Sequence, residues 1–134
     1  TKSPALYGAD MLGSLFDKGV PWNLSELDTL LRTLPKVPGV TAPYLYFGSW
    51  RAFFAWHVED KDLYSINYLH FGEPKAWYGI SPHLADFFEC YAKMTFQLEQ
   101  RACPEFLRHK STLISPKVLA KHNITVQRIV QRPG

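Results

Sequence analysis

Two side chains able to hold a metal stand two positions apart in Phe54-Ala55-Trp56-His57-Val58-Glu59-Asp60. Along an extended strand, successive side chains point to opposite faces, so His57 and Glu59 would project from the same one. One imidazole and one carboxylate aimed at a common point make up two of the three donors of the 2-His-1-carboxylate triad. That triad binds non-haem Fe(II) and leaves coordination positions open for substrate and oxygen. A third ligand is still required. The same triplet also describes a half-exposed strand histidine beside a surface glutamate, and the spacing alone does not choose between the two.

The elements that must position this pair can be read from patterning. Tyr44 to Gly48 alternates as a strand, with Tyr44, Tyr46 and Gly48 on one face. Tyr64 to Phe71 and Lys75 to Ile80 predict a hairpin about Gly72-Glu73-Pro74, with Asn67, Leu69 and Phe71 on one face of the first arm and Lys75 and Trp77 on one face of the second. A lysine among Phe54, Phe71 and Trp77 is costly without an anionic partner, so this arm predicts a bound anion; the alternative is an exposed edge-strand lysine. Upstream, Tyr7-Gly8-Ala9-Asp10 reads as a short strand or turn. Asn23 and Glu26 form a capping-box pair ahead of leucines 24, 27, 30, 31 and 34, which predicts a helix stopped by Pro35. Lys36 to Gly39 is a loop. Ser81-Pro82 predicts a helix start, with Leu84, Phe87, Phe88, Tyr91 and Met94 on its apolar face and Cys90 as a small buried residue. Residues 99–102 read as a polar connection, Pro104 to Lys110 as a short helix, Ser115-Pro116 as another helix start, and Ile124 to Val130 as a closing strand.

The composition fits one globular domain: 134 residues, 46% hydrophobic and 15% aromatic. No stretch approaches the roughly 18 apolar residues of a membrane span, and no signal peptide opens the chain, so a soluble intracellular protein is expected. Two cysteines, Cys90 and Cys103, point to a reducing compartment. The formal charge is +3, yet no acid follows Glu105, whereas Arg108, Lys110, Lys117, Lys121, Arg128 and Arg132 do. This basic end is either a solvated surface or a contact for DNA phosphates.

The run Asp62 to Tyr78, taken with Phe54 to Asp60, resembles the JmjC domain of the histone lysine demethylases, which are Fe(II)- and 2-oxoglutarate-dependent oxygenases. The resemblance extends to Tyr7-Gly8-Ala9-Asp10, Tyr44-Leu45-Tyr46-Phe47-Gly48, and Cys103-Pro104-Glu105-Phe106-Leu107-Arg108-His109-Lys110 followed by Thr112 to Pro116. These outer matches resemble the jumonji-domain-containing 2 (lysine-specific demethylase 4) subfamily. It implies a mainly β fold with helices, a double-stranded β-helix of the jelly-roll or cupin type, with a helical insert at about 81–122. It also implies Fe(II) on His57 and Glu59; 2-oxoglutarate held by Tyr7, Asn67 and Lys75 and packed on Phe54 and Trp77; and a methyl-lysine pocket from Asp10, Gly39, Tyr46 and Glu59. Cys103 and His109 resemble the first half of a structural zinc site. On a helix, six residues rise about 9 Å and these two would not share a face, so the zinc would lie to one side and draw its other ligands from elsewhere.

The family's substrate is the histone H3 tail, trimethylated or dimethylated at lysine nine or thirty-six, in the nucleus, where the enzymes regulate transcription. The resemblance further implies a JmjC domain incomplete at its C-terminal end: no JmjN segment, no distal iron histidine and no later zinc cysteines, with Thr1 to Pro4 as the end of a linker. None of His70, His83, His109 and His122 matches the distal position. The expected function is oxidative demethylation of methylated lysine. The alternatives are a catalytically inactive chromatin-binding module and a JmjC hydroxylase acting on a non-histone side chain.

Overall fold

A computed structural model describes residues 4–134, leaving Thr1 to Ser3 of the expected linker outside the described residues. Contacts divide the chain into two compact units, Thr1–Phe53 and Phe54–Gly134.

In the first unit, β1 (Tyr7–Leu12) pairs antiparallel with β2 (Tyr44–Gly48). Tyr7 lies opposite Gly48 and Leu12 opposite Tyr44. The register shifts between Gly8 and Met11, so Ala9 and Asp10 together face the single residue Tyr46. This is a β-bulge, and Asp10 takes the left-handed φ of 58° that such an insertion imposes. The leucine-rich helix expected after Asn23 is not continuous. It forms two short 3-10 turns, Leu24–Glu26 and Leu30–Thr33. Asn23 does cap the first turn, accepting from the Ser25 N–H, but Glu26 accepts from the Gly19 N–H rather than closing a capping box. Thr29 then starts the second turn by accepting from the Leu31 N–H. Leu24, Leu27 and Leu31 are only partly buried and Leu30 is 88% exposed, so the stripe has too little packing to hold it as one helix.

In the second unit, β3 (Lys75–Ile80) pairs antiparallel with β4 (Val126–Gln131), Lys75 opposite Gln131 and Ile80 opposite Val126. Between them run α1 (Ala85–Thr95), α2 (Gln97–Ala102), a 3-10 turn at Phe106–His109 and α3 (Pro116–Lys121). Ser115 caps α3 by accepting from the Lys117 N–H, with Pro116 in the first turn, where its missing N–H costs nothing. The buried core is Ala92, Phe106, Ile114, Leu119 and Ile124, with Trp56, Phe88, Tyr91, Cys103, Ile80 and Val126 packed against it. Ile80 and Val126 share one face of the β3–β4 ribbon, so that face is the core side. Lys75, Trp77, Ile129 and Gln131 alternate onto the other.

Several sequence expectations change. The hairpin partner of β3 is β4, not residues 64–71, which are irregular. Residues 54–59 form no strand; the Trp56 N–H donates to the Thr112 carbonyl and its indole N–H to the Ile114 carbonyl, so an aromatic anchor holds the segment in place of a ladder. Residues 99–102 are helical. Cys90 is exposed, as are Phe87 and Met94, because only the Phe88, Tyr91 and Ala92 side of α1 meets the core. The described residues carry two two-stranded sheets and no closed barrel, and the three α-helices take as many residues as the four strands. The architecture is thus mixed β and helical rather than mainly β.

Candidate active site

The first unit assembles a tyrosine cluster on the β1–β2 ribbon. The Tyr7 and Tyr46 rings stack at 5.9 Å with 14° between their planes, and Tyr44 meets Tyr46 edge-on at 6.2 Å. The bulge turns the Asp10 carboxylate onto Tyr46, which hydrogen-bonds to it. Burial, followed by the Asp10 charge and hydrogen bond and the neighbouring Tyr7 and Tyr44, pushes the Tyr46 hydroxyl up to about 12. Burial and then Asp10 push Tyr7 upward as well. Both phenols therefore stay neutral near pH 7, presenting ring faces and a hydroxyl oxygen beside a carboxylate. Gly39 lies against this cluster with φ +76°, and a Cβ there would sit 2.5 Å from Cε2 of Tyr44, so the ring can close over it only because it is glycine.

One prediction concerns this cluster. The absorbance change lost in Tyr46→Phe, read by ultraviolet difference spectroscopy, is expected to centre near pH 12, against 10.0 for an ordinary tyrosine. In Asp10→Asn the midpoint falls, because the carboxylate that opposes the phenolate is gone. The sign for stability follows. The folded value lies above the unfolded one, so the contribution is complete below about pH 10 and is lost as pH rises through about 12.

The second unit holds the metal and anion candidates. Nδ1 of His57 lies 2.8 Å from the Ala55 carbonyl oxygen. That oxygen can only accept, so Nδ1 carries the proton and donates, leaving the Nε2 lone pair for a cation. Glu59 is half-buried and extended (φ −68°, ψ 158°) at the start of a 3-10 turn. Among the described residues, no group of three or more His, Cys, Asp and Glu side chains could hold a metal ion. His57 and Glu59 are donor types that suit iron, and they lie in an irregular segment rather than on the expected strand. Of the expected half zinc site, Cys103 packs against the core as a free thiol, and the exposed His109 ends the 3-10 turn that carries the buried Phe106.

Lys75 is half-buried on the outer face of β3. Its Nζ lies 5.4 Å from the Trp77 ring centroid and 6.0 Å from that of Phe54, whose ring also meets His57 edge-on at 6.0 Å. Among the described residues no carboxylate pairs with it, and burial lowers its pKa. The ring faces contribute about 0.5–1 kcal/mol of cation–π attraction each but leave the charged donors without an anionic partner. Asn67, expected beside Lys75 in a hairpin, is held instead through its backbone carbonyl, which accepts from Nε2 of Gln131 at 3.0 Å. Oε1 of the same amide accepts from the Trp77 indole N–H at 2.8 Å. Sequence reading overlooked Gln131; its alternation with Ile129 and Gln127 onto the Lys75 face was the available signal.

Residues 44–134 match the family described as JmjC domain, hydroxylase. The chain is 51% identical over 98% of its length to human "Probable lysine-specific demethylase 4F". It is 50% identical over 96% of its length both to mouse "Lysine-specific demethylase 4B" and to rat "Lysine-specific demethylase 4D". It spans 22%, 12% and 26% of those three relatives, about a quarter or less of each. These matches show that the chain belongs to the JmjC domain family of hydroxylases.

Proposed function

We propose that the chain carries the iron- and cosubstrate-binding part of a histone lysine demethylase, acting on trimethyl- and dimethyl-lysine nine or thirty-six of histone H3 in the nucleus. The observation that carries this reading is Lys75, a half-buried ammonium walled by Phe54 and Trp77 with no carboxylate partner among the described residues. Such a socket suits a carboxylate of 2-oxoglutarate, which takes charge-assisted hydrogen bonds from the ammonium. His57 through Nε2, together with Glu59, would hold Fe(II). When bound, Fe(II) with 2-oxoglutarate and oxygen supplies an oxidation in which the cosubstrate leaves as succinate and carbon dioxide, and an N-methyl C–H becomes C–OH and departs as formaldehyde.

This chemistry suits a trimethylated lysine, whose nitrogen has no lone pair to drive imine formation. In the first unit, Tyr46, Asp10 and Gly39 would receive the methylammonium. A cation that cannot donate an N–H bond needs aromatic faces, oxygens against its polarised C–H groups and a nearby negative charge. The basic residues from Arg108 to Arg132 are proposed to rest on nucleosomal DNA.

The second reading, a chromatin-binding module without turnover, is favoured by one observation: no third metal donor joins His57 and Glu59 among the described residues. Formaldehyde release from a trimethylated H3 peptide, in air with Fe(II) and 2-oxoglutarate, separates the two. Release that is lost in His57→Ala supports demethylation. Peptide binding without release supports the module.

A further inference from the structure

The Gln131 side-chain amide joins two parts of the second unit far apart in sequence. Its Oε1 faces a group that can only donate, the Trp77 indole N–H, and its Nε2 faces one that can only accept, the Asn67 carbonyl. Neither end can be exchanged, and of the near-isosteric side chains only an amide satisfies both. Gln131 also stands directly opposite Lys75 in the β3–β4 register. Directly opposed residues project onto the same face of the ribbon with Cβ atoms about 5 Å apart. The amide therefore orients the indole that walls one side of the ammonium and ties down the irregular segment carrying Asn67. A second tie, from the Gly134 N–H to the Leu69 carbonyl at 3.1 Å, holds the same segment without touching Trp77.

We propose that Gln131 is a positioning residue for the anion socket: it fixes the Trp77 indole and the Asn67 backbone so that the Lys75 ammonium faces the incoming carboxylate, and its neutrality keeps Lys75 from pairing internally. This rests on the reading of Lys75 as the 2-oxoglutarate contact, and it adds a specific requirement for an uncharged amide at position 131. A glutamate there would still accept from the indole. It would lose the donor to Asn67, set a carboxylate against that carbonyl, and give Lys75 an anion of its own.

The test uses the 134-residue chain as wild type, Gln131→Leu and Gln131→Glu. Without ligand, hydrogen exchange of the Trp77 indole N–H and the titration of Lys75 are followed by nuclear magnetic resonance. With Ni(II) present, 2-oxoglutarate binding is followed by calorimetry. Indole exchange is expected to accelerate in the leucine variant and to stay slow in the glutamate variant, while Lys75 titrates higher in the glutamate variant alone. Affinity for 2-oxoglutarate is expected to fall about tenfold in the leucine variant and about a hundredfold in the glutamate variant, steps of ~1.4 and ~2.8 kcal/mol. Ni(II) affinity stays within about twofold in both, a split that general loosening of the fold would not give. Should Gln131→Leu fail to fold, the near-isosteric glutamate variant carries the test. Unchanged indole exchange in the leucine variant, or a glutamate variant whose Lys75 titration and 2-oxoglutarate affinity match wild type, overturns the proposal. A wild-type chain that binds no 2-oxoglutarate overturns the cosubstrate reading instead, and Gln131 is then judged by the ligand-free measurements.

Discussion

Replacing Lys75 with methionine is expected to weaken 2-oxoglutarate binding about a hundredfold or more while leaving the fold as stable as before or slightly more so. Methionine keeps the length and the apolar contact with Phe54 and Trp77 and removes only the charge. The wild-type ammonium is half-buried with no carboxylate partner among the described residues, and burial already lowers its pKa. Its removal thus takes away a desolvation cost and no ion pair. Losing one partner of a desolvated, hydrogen-bonded charge pair costs about 2–5 kcal/mol of binding, which outweighs any gain from easier packing. Calorimetry of 2-oxoglutarate binding and a thermal melt, run together, check both halves. A variant that binds normally would show that Lys75 does not meet the ligand, and one that melts well below wild type would show that it serves the fold.

The second large effect is structural. Leu119→Ala is expected to destabilise the second unit by about 3 kcal/mol, since truncating a fully buried leucine loses transfer energy and leaves a cavity. Leu119 is 0% exposed at the centre of the cluster that also carries Trp56, and Trp56 precedes His57. Loosening this core should therefore degrade metal binding along with stability. Leu30→Ala, in the first unit, is expected to change stability by no more than about 0.5 kcal/mol, because Leu30 is 88% exposed. Urea denaturation distinguishes the two, and equal costs would mean that the core is placed wrongly.

These contrasts show which parts of the protein were legible in its sequence. Local signals survived folding: the Asn23 and Ser115 caps, the start of a helix after Ser81-Pro82, and the strands at Tyr44, Lys75 and Val126 all occur where short-range chemistry put them. Pairing was harder to read. Alternation marks a strand but not its neighbour, and β3 pairs with a strand about fifty residues downstream instead of the adjacent arm. The leucine stripe after Asn23 has helical spacing but is nowhere fully buried, and two capped turns replaced one helix.

The same limit applied to the site. Residue type identified His57, Glu59 and Lys75. The contacts around them, namely the Ala55 carbonyl on His57, the Trp56 anchor beside it and the Gln131 amide on the Trp77 indole, are set by the fold and carry no motif. Asp10 was placed near the substrate by resemblance, but the reason it reaches Tyr46 is the bulge, which a sequence of Gly, Ala and Asp does not announce.

The central claim is that His57 and Lys75 belong to one metal-dependent cosubstrate site in the second unit. The most direct measurement is calorimetry of 2-oxoglutarate binding to the wild-type chain with and without Ni(II), beside His57→Ala. The predicted result is binding that requires Ni(II) and disappears in His57→Ala, while the thermal midpoint of the variant stays near wild type. Binding of 2-oxoglutarate that is indifferent to both Ni(II) and His57, or no binding under any of these conditions, would contradict it.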